Sequence, residues 1–133
     1  MADRRTSALG KVPLFAGLSQ RQLKRLTQGT LDYEFPQGKR LVEQGQRGDT
    51  LFVLLEGSAR VVRGGRTVAR IGPGEYFGEV AVLDRRPRSA SVVADTPVRC
   101  LVLHRDDVKK MISEEPATAL AMLANLASRL RGD

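Results

Sequence analysis

Short runs of Val, Leu, Ile, Phe and Tyr recur between residues 31 and 104, interrupted by Gly or Pro about every eight to twelve residues. That rhythm predicts the many short strands of an antiparallel sandwich or barrel. Its clearest local feature is Gly64-Gly65, set between strands expected over 58–63 and 66–71. A two-residue hairpin loop needs positive φ at both central positions, which glycine adopts without a Cβ clash. Further turns fall at Pro36-Gln37-Gly38, at 45–49, at Gly72-Pro73-Gly74 and at Asp95-Thr96-Pro97, the last separating strands expected over 89–94 and 98–103.

On both flanks the period becomes helical. Ser19, with Gln22 three residues on, forms a capping-box pattern ahead of Leu23 and Leu26, and the helix it opens should stop near Gly29. Beyond residue 104, Asp106 and Asp107 place negative charge in a first turn, and Val108, Met111 and Ile112 follow at helical spacing. Pro116 then starts a last helix that is apolar almost throughout, with a narrow polar strip through Thr118, Asn125 and Ser128 or Arg129. One core face cannot use so many apolar positions. One side is therefore expected against the β body and the other against a ligand, a second chain or a further domain.

With 133 residues, 41% of them hydrophobic, the chain is long enough for one domain that needs no covalent staples. Residues 1–12 carry Arg4, Arg5 and Lys11 among small polar neighbours and read as a flexible basic arm; 13–133 read as the domain, with strands over about 31–104 and closing helices over about 105–131. The single cysteine, Cys100, permits no intramolecular disulfide and no Cys-rich metal site, and it suits a reducing compartment, so the cytoplasm is the expected address. No apolar run approaches the roughly 18 residues of a membrane span. Lys and Arg outnumber Asp and Glu by 22 to 15, and the net charge of +7 favours an anionic partner without naming it.

Residues 74–91 break the strand rhythm. Gly74 and Gly78 lead into 79–83, long enough for one short helical turn, before Pro87 ends it and a strand resumes at Ser89. A helical turn that opens after a glycine offers free N–H groups and a positive dipole end to a phosphate. Arg88 supplies the matching full charge, since a guanidinium holds two phosphate oxygens at once and a hydrogen bond to a charged group is worth about 1.5–3 kcal/mol. Glu79 would repel a phosphate. A carboxylate beside one is useful when the ligand also carries a hydroxyl that can donate to it, as a ribose 2′-OH does. Phosphate with ribose means a nucleotide.

The run Phe77-Gly78-Glu79-Val80-Ala81-Val82-Leu83-Asp84-Arg85-Arg86-Pro87-Arg88-Ser89-Ala90-Ser91 resembles, position by position, the phosphate-binding cassette of the cyclic nucleotide-binding domain family, including the nine-residue step from Glu79 to Arg88. Leu14-Phe15-Ala16-Gly17-Leu18-Ser19 is similar to the family's entry segment, and Glu43-x-Gly45-x-x-Gly48-Asp49-x-x-Phe52-Val53-Leu54-x-x-Gly57 to its β signature. The final helices resemble its closing pair, so the likeness covers about 120 residues. It implies a mainly β fold with flanking α, namely a double-stranded β-helix or jelly-roll barrel with a short cassette helix, an N-terminal helix and two C-terminal helices. It implies a regulatory module for a cyclic nucleotide, cAMP first and cGMP as the alternative, whose capture moves the C-terminal helices.

Residue by residue, the resemblance implies that Glu79 accepts from the ribose 2′-OH and that Arg88 pairs with the cyclic phosphate. Backbone N–H groups from Gly78 through Glu79, Val80 and Ala81, with that of Ala90, would complete the cradle. Ser89 can touch the phosphate or a purine amino group and does not choose between cAMP and cGMP. Asp49 would orient Arg88, Val82 would be the hinge that senses cassette movement, and Phe77 heads the cassette. The base would lie against Val61 or Ile71 and under the last helix.

Other readings are weaker. A metal-dependent jelly-roll enzyme needs several histidines, and His104 is the only one; no Ser-His or Cys-His pairing is placed for nucleophilic chemistry, so no enzyme activity and no metal are expected. Specific reading of nucleic acid would need a helix-turn-helix beyond the second closing helix, which leaves open a sensory part of a transcription regulator. A ligand-free dimerisation module would not need Glu79, Arg88 and the glycines. Cys100 reads as a small buried hydrophobe, His104 as a strand-helix junction, and Arg131-Gly132-Asp133 as a helix end with a glycine cap.

Overall fold

The computed structural model describes residues 4–132, apart from the side chains of Glu79, Val80, Asn125 and Arg129. Eight strands form two four-stranded antiparallel sheets: β1 (Leu31–Phe35), β8 (Val98–His104), β3 (Thr50–Glu56) and β6 (Tyr76–Phe77) in one, β2 (Arg40–Val42), β7 (Ser91–Ala94), β4 (Ala59–Arg63) and β5 (Arg66–Ile71) in the other. Helices α1 (Arg4–Gly10), α2 (Gln20–Gln28), α3 (Arg105–Glu114) and α4 (Ala117–Arg131) flank them. This is the mainly β jelly-roll architecture with flanking helices that the resemblance implies.

Strands β3 and β8 explain why two of the runs read as continuously apolar. Leu51, Val53 and Leu55 alternate with Phe52 and Leu54 along β3, and Leu101 and Leu103 alternate with Cys100 and Val102 along β8. The first set packs against the helices around Leu9, Phe15 and Val108, and the second faces Ala59, Val92 and Ala94 of the opposite sheet. Both faces of the central pair are therefore covered over 51–55 and 100–103, so those positions are apolar on both sides. Burial also pushes the Cys100 thiol up to about 12, so it is a packing group and not a nucleophile at neutral pH.

The local punctuation acts as its residue types require. Gly64 and Gly65 take φ of 59° and 78° and close the β4–β5 hairpin. Ser19 Oγ accepts from Gln22 N at 3.1 Å while Gln22 Oε1 accepts from Ser19 N at 2.9 Å, so the capping box forms and α2 runs to a cap at Gly29.

Three expectations are corrected. The N-terminal arm is helical over α1: Leu9 and Val12 are fully buried, Thr6 and Thr27 share a buried hydrogen bond of 3.1 Å, and Arg4 donates to Leu55 O. The two apolar anchors and the threonine decide the docking, while Lys11 stays exposed. Thr118 does not belong to an exposed polar strip on α4, because it is fully buried and accepts from Gln22 Nε2 at 3.3 Å. Of the rest of that strip, Ser128 is half-buried, and the side chains of Asn125 and Arg129 lie outside the described residues. One side of α4 is expected against the β body, whereas its main contacts are instead with the Pro13–Phe15 turn and α3, through Met122. Leu120, Leu123 and Leu130 on its other side are 71%, 61% and 90% exposed.

One surface pair gives a pH dependence. Arg99 grips Asp32 with two hydrogen bonds of 2.9 and 2.8 Å across the β1–β8 ladder, and these bonds hold the Asp32 carboxyl below its ordinary 3.8 despite some desolvation. A lowered carboxyl pKa stabilises the fold above the unfolded value and loses that contribution as pH falls through the folded one. Urea unfolding of wild type and Asp32→Asn should accordingly differ at pH 6 and converge below the lowered pKa. A gap that does not narrow as the pH falls below the ordinary carboxyl value of 3.8 contradicts this assignment.

Candidate functional site

The site is built where a short 3-10 helix, Glu79–Val82, leaves the first sheet. Phe77 lies at the end of β6 opposite Phe52 on β3, and the two rings stack at 4.8 Å and 10°, which fixes the point of departure. Gly78 then takes φ of 83° and turns the chain. Ala81 N donates back to Gly78 O at 3.0 Å, so that amide closes the turn and is not a free donor for an anion. Val82 is buried among Leu51, Val108 and Met111, so the cassette is anchored into the helix-side core at the residue expected to act as its hinge. The side chains of Glu79 and Val80, expected to hold the sugar and flank it, lie outside the described residues.

Arg88 is the centre of the arrangement. Its backbone is clamped to the loop before β3, with Arg88 N donating to Gln46 O and Gly45 N donating to Arg88 O, both at 2.8 Å. Its half-buried guanidinium donates from Nη2 to Thr50 O at 3.0 Å. It also passes between two glycines: a Cβ on Gly48 would stand 2.5 Å from Nη2, and one on Gly78 would stand 2.6 Å from Nη1 and 2.5 Å from Thr50 O. The glycines thus form a slot that any side chain would close. Desolvation lowers the affinity of this guanidinium for its proton, and the field of Asp49 opposes that effect. It stays charged, because an arginine's ordinary value lies far above neutral pH. Asp49 acts by that field, whereas the orienting hydrogen bond comes from Thr50 O.

A cavity of about 490 Å³ opens over this slot. Phe77, Gly78, Ala81, Arg88, Ser89, Ala90 and Val61 all line it, so the structure brings most of the sequence-expected residues to one place. Ile71 is not among them and is buried instead between the sheets with Ala59 and Val98. No described residue of α4 lines the cavity either, in contrast to the expectation of a base held under the last helix. Arg63 and Arg86 add two positive groups to that of Arg88 against the single carboxylate of Asp84 among the described lining residues. The volume is that of a small-molecule site, and the charge balance favours an anion. No group of three or more His, Cys, Asp or Glu that could hold a metal occurs among the described residues.

Several contributors escape a reading of the sequence. Thr50 acts through its carbonyl, which every residue possesses, and Arg63 comes from β4, far along the chain. Gly48 could have been found: it is the second glycine of the Gly45-x-x-Gly48-Asp49 pattern, whose spacing presents it to Arg88.

The cyclic nucleotide-binding domain family matches residues 33–115. The chain is 40% identical over 124 residues to a cyclic AMP receptor protein of Thermus thermophilus, covering 90% of this chain and 57% of the relative. It is 37% identical over 123 residues to glutaminase 2 of Bradyrhizobium diazoefficiens, covering 92% of this chain and 20% of that protein. Among solved structures, the N-terminal domain of a transcriptional regulator from Streptomyces coelicolor superposes with a TM-score of 0.86 at 32% identity, covering 94% of this chain and 91% of that one. The chain thus spans little more than half the length of the Thermus protein and a fifth of the Bradyrhizobium one.

Proposed function

The chain belongs to the cyclic nucleotide-binding domain family, and from that premise we propose that it is a regulatory module that captures cAMP in the cavity over Arg88 and passes the event to its C-terminal helices. The observation that carries this reading is the slot of Gly48 and Gly78, which presents a charged guanidinium to the cavity at a fixed angle. Preorganisation of that kind removes the ordering cost that a free arginine would pay on binding. A cyclic phosphate would meet Arg88, and its ribose 2′-OH would meet Glu79. Val61 would form part of the apolar wall for the base.

The test is calorimetric titration with 3′,5′-cyclic AMP, 3′,5′-cyclic GMP and linear 5′-AMP. The cyclic nucleotides should bind and cAMP more tightly than cGMP, with the linear nucleotide at least about tenfold weaker, a difference of 1.4 kcal/mol. Equal binding of 5′-AMP defeats a cyclic-phosphate site.

Movement of the helices requires different affinities for two arrangements, because a ligand bound equally by both shifts no population. Val82 joins the cassette to Val108 and Met111 of α3, so inward movement of the cassette would be felt where α3 meets α4. The exposed Leu120, Leu123 and Leu130 would meet a second copy or an effector domain. The relatives carry such a module in a receptor protein and in a protein named as a glutaminase, so the output is not fixed by the module. Hydrogen exchange over 117–130 should change on adding cAMP, and unchanged protection there would remove the coupling.

A further inference from the structure

Three segments meet at the exit of the cassette. Arg63, at the end of β4, donates from Nε to Ser89 O at 3.2 Å. Gln44 accepts on Oε1 from Gly64 N in the hairpin turn at 3.0 Å, and its own backbone N–H donates to Ser91 Oγ, a buried side chain, at 2.9 Å. The hairpin turn, the loop before β3 and residues 89–91 are thereby tied through three side chains: Arg63 to Ser89 O, Gln44 to Gly64 N, and Ser91 to the Gln44 backbone. Arg63 lines the cavity and Gln44 does not.

We propose that Arg63 is a positioning residue of the nucleotide site, which with Gln44 latches the β4–β5 hairpin to the cassette exit and sets the Ser89–Ala90 peptide. The inference rests on the proposed nucleotide reading and deepens it. In a trans peptide the carbonyl and the following N–H point in opposite directions. An acceptor bond from Ser89 O to Arg63 therefore turns the Ala90 N–H to the side away from Arg63, and holding one end of the peptide plane holds the other. Arg88 is the residue immediately before, with its own backbone clamped to 45–46, so the latch also limits rotation of the segment that carries the guanidinium. A charge on the cavity wall would need only position; the Nε bond and the Gln44 bridge add orientation.

Titration of cAMP into wild type, Arg63→Met, Gln44→Ala and the double variant separates these roles, with hydrogen exchange of the ligand-free proteins as a second readout. The latch predicts about tenfold weaker binding for Arg63→Met and about threefold for Gln44→Ala, which never touches ligand. Because both act through one linkage, the double variant should fall well short of the roughly thirtyfold product. The Ala90 and Ser91 amides should exchange faster in both variants while the melting temperature stays within about 2 °C. Wild-type binding by Gln44→Ala, or losses that multiply, overturns the latch and leaves Arg63 a simple wall charge. Unchanged exchange at Ala90 and Ser91 overturns it whatever the ligand, whereas a wild type that binds no cyclic nucleotide overturns the nucleotide reading.

Discussion

Arg88→Ala should lose at least about a hundredfold in affinity for cAMP while keeping a wild-type circular dichroism spectrum and a melting temperature within a few degrees. The loss follows from two charge-assisted hydrogen bonds to the phosphate at about 1.5 kcal/mol or more each, which together exceed the 2.7 kcal/mol that corresponds to a hundredfold. The fold should survive because, among the described residues, the side chain makes one hydrogen bond, to Thr50 O, at a cavity wall where water can replace it. Arg88→Lys should recover only part of the affinity: an ammonium keeps the charge but cannot span two phosphate oxygens, and its compact head does not fill the slot between the glycines. Titrations of the three proteins at two salt concentrations check this. Affinity equal to wild type in Arg88→Ala ends the assignment of the site.

Alanine at the two slot glycines should produce two different failures. At Gly78 the backbone has φ of 83° and the new Cβ would meet Thr50 O at 2.5 Å, so the change strains a left-handed residue and drives a methyl into main chain that cannot move away. A cost of about 2–4 kcal/mol in unfolding free energy follows from the strain and the clash together, with loss of ligand binding. At Gly48 the obstructing atoms belong to the flexible end of Arg88. The guanidinium can swing aside, so Gly48→Ala should weaken binding by about tenfold or more with little change in stability. Denaturant unfolding and titration on the pair of variants measure both quantities. A Gly48→Ala protein that binds normally shows that the slot does not aim Arg88.

What could be read ahead of the structure follows a physical division. Short-range chemistry was legible: the capping box at Ser19 and Gln22, the Gly64-Gly65 hairpin, the short apolar runs between turns, and the cassette with its nine-residue step from Glu79 to Arg88 all depend on residues close in sequence. Such features are set by backbone conformation and by the period of side chains, and both are written locally. The first dozen residues depart from the arm that their charge implies, because Leu9 and Val12 are spaced to enter the core together. Ile71 and Val61 could not be told apart, since both are apolar residues on the same face of neighbouring strands; only their position along the sheet left one in the core and the other at the cavity.

By itself, then, the sequence determined the strand rhythm, the helix ends and the residue types that handle an anion. Tertiary structure decided which groups surround Arg88: a carbonyl from Thr50, the bare backbones of Gly48 and Gly78, and Arg63 arriving from β4. A carbonyl, a missing Cβ and a long cationic side chain carry no local signal of what they will touch. Their meaning arises when sheets pack and bring residues tens of positions apart within hydrogen-bonding distance, because hydrogen-bond geometry and excluded volume act over ångströms in space and not along the chain.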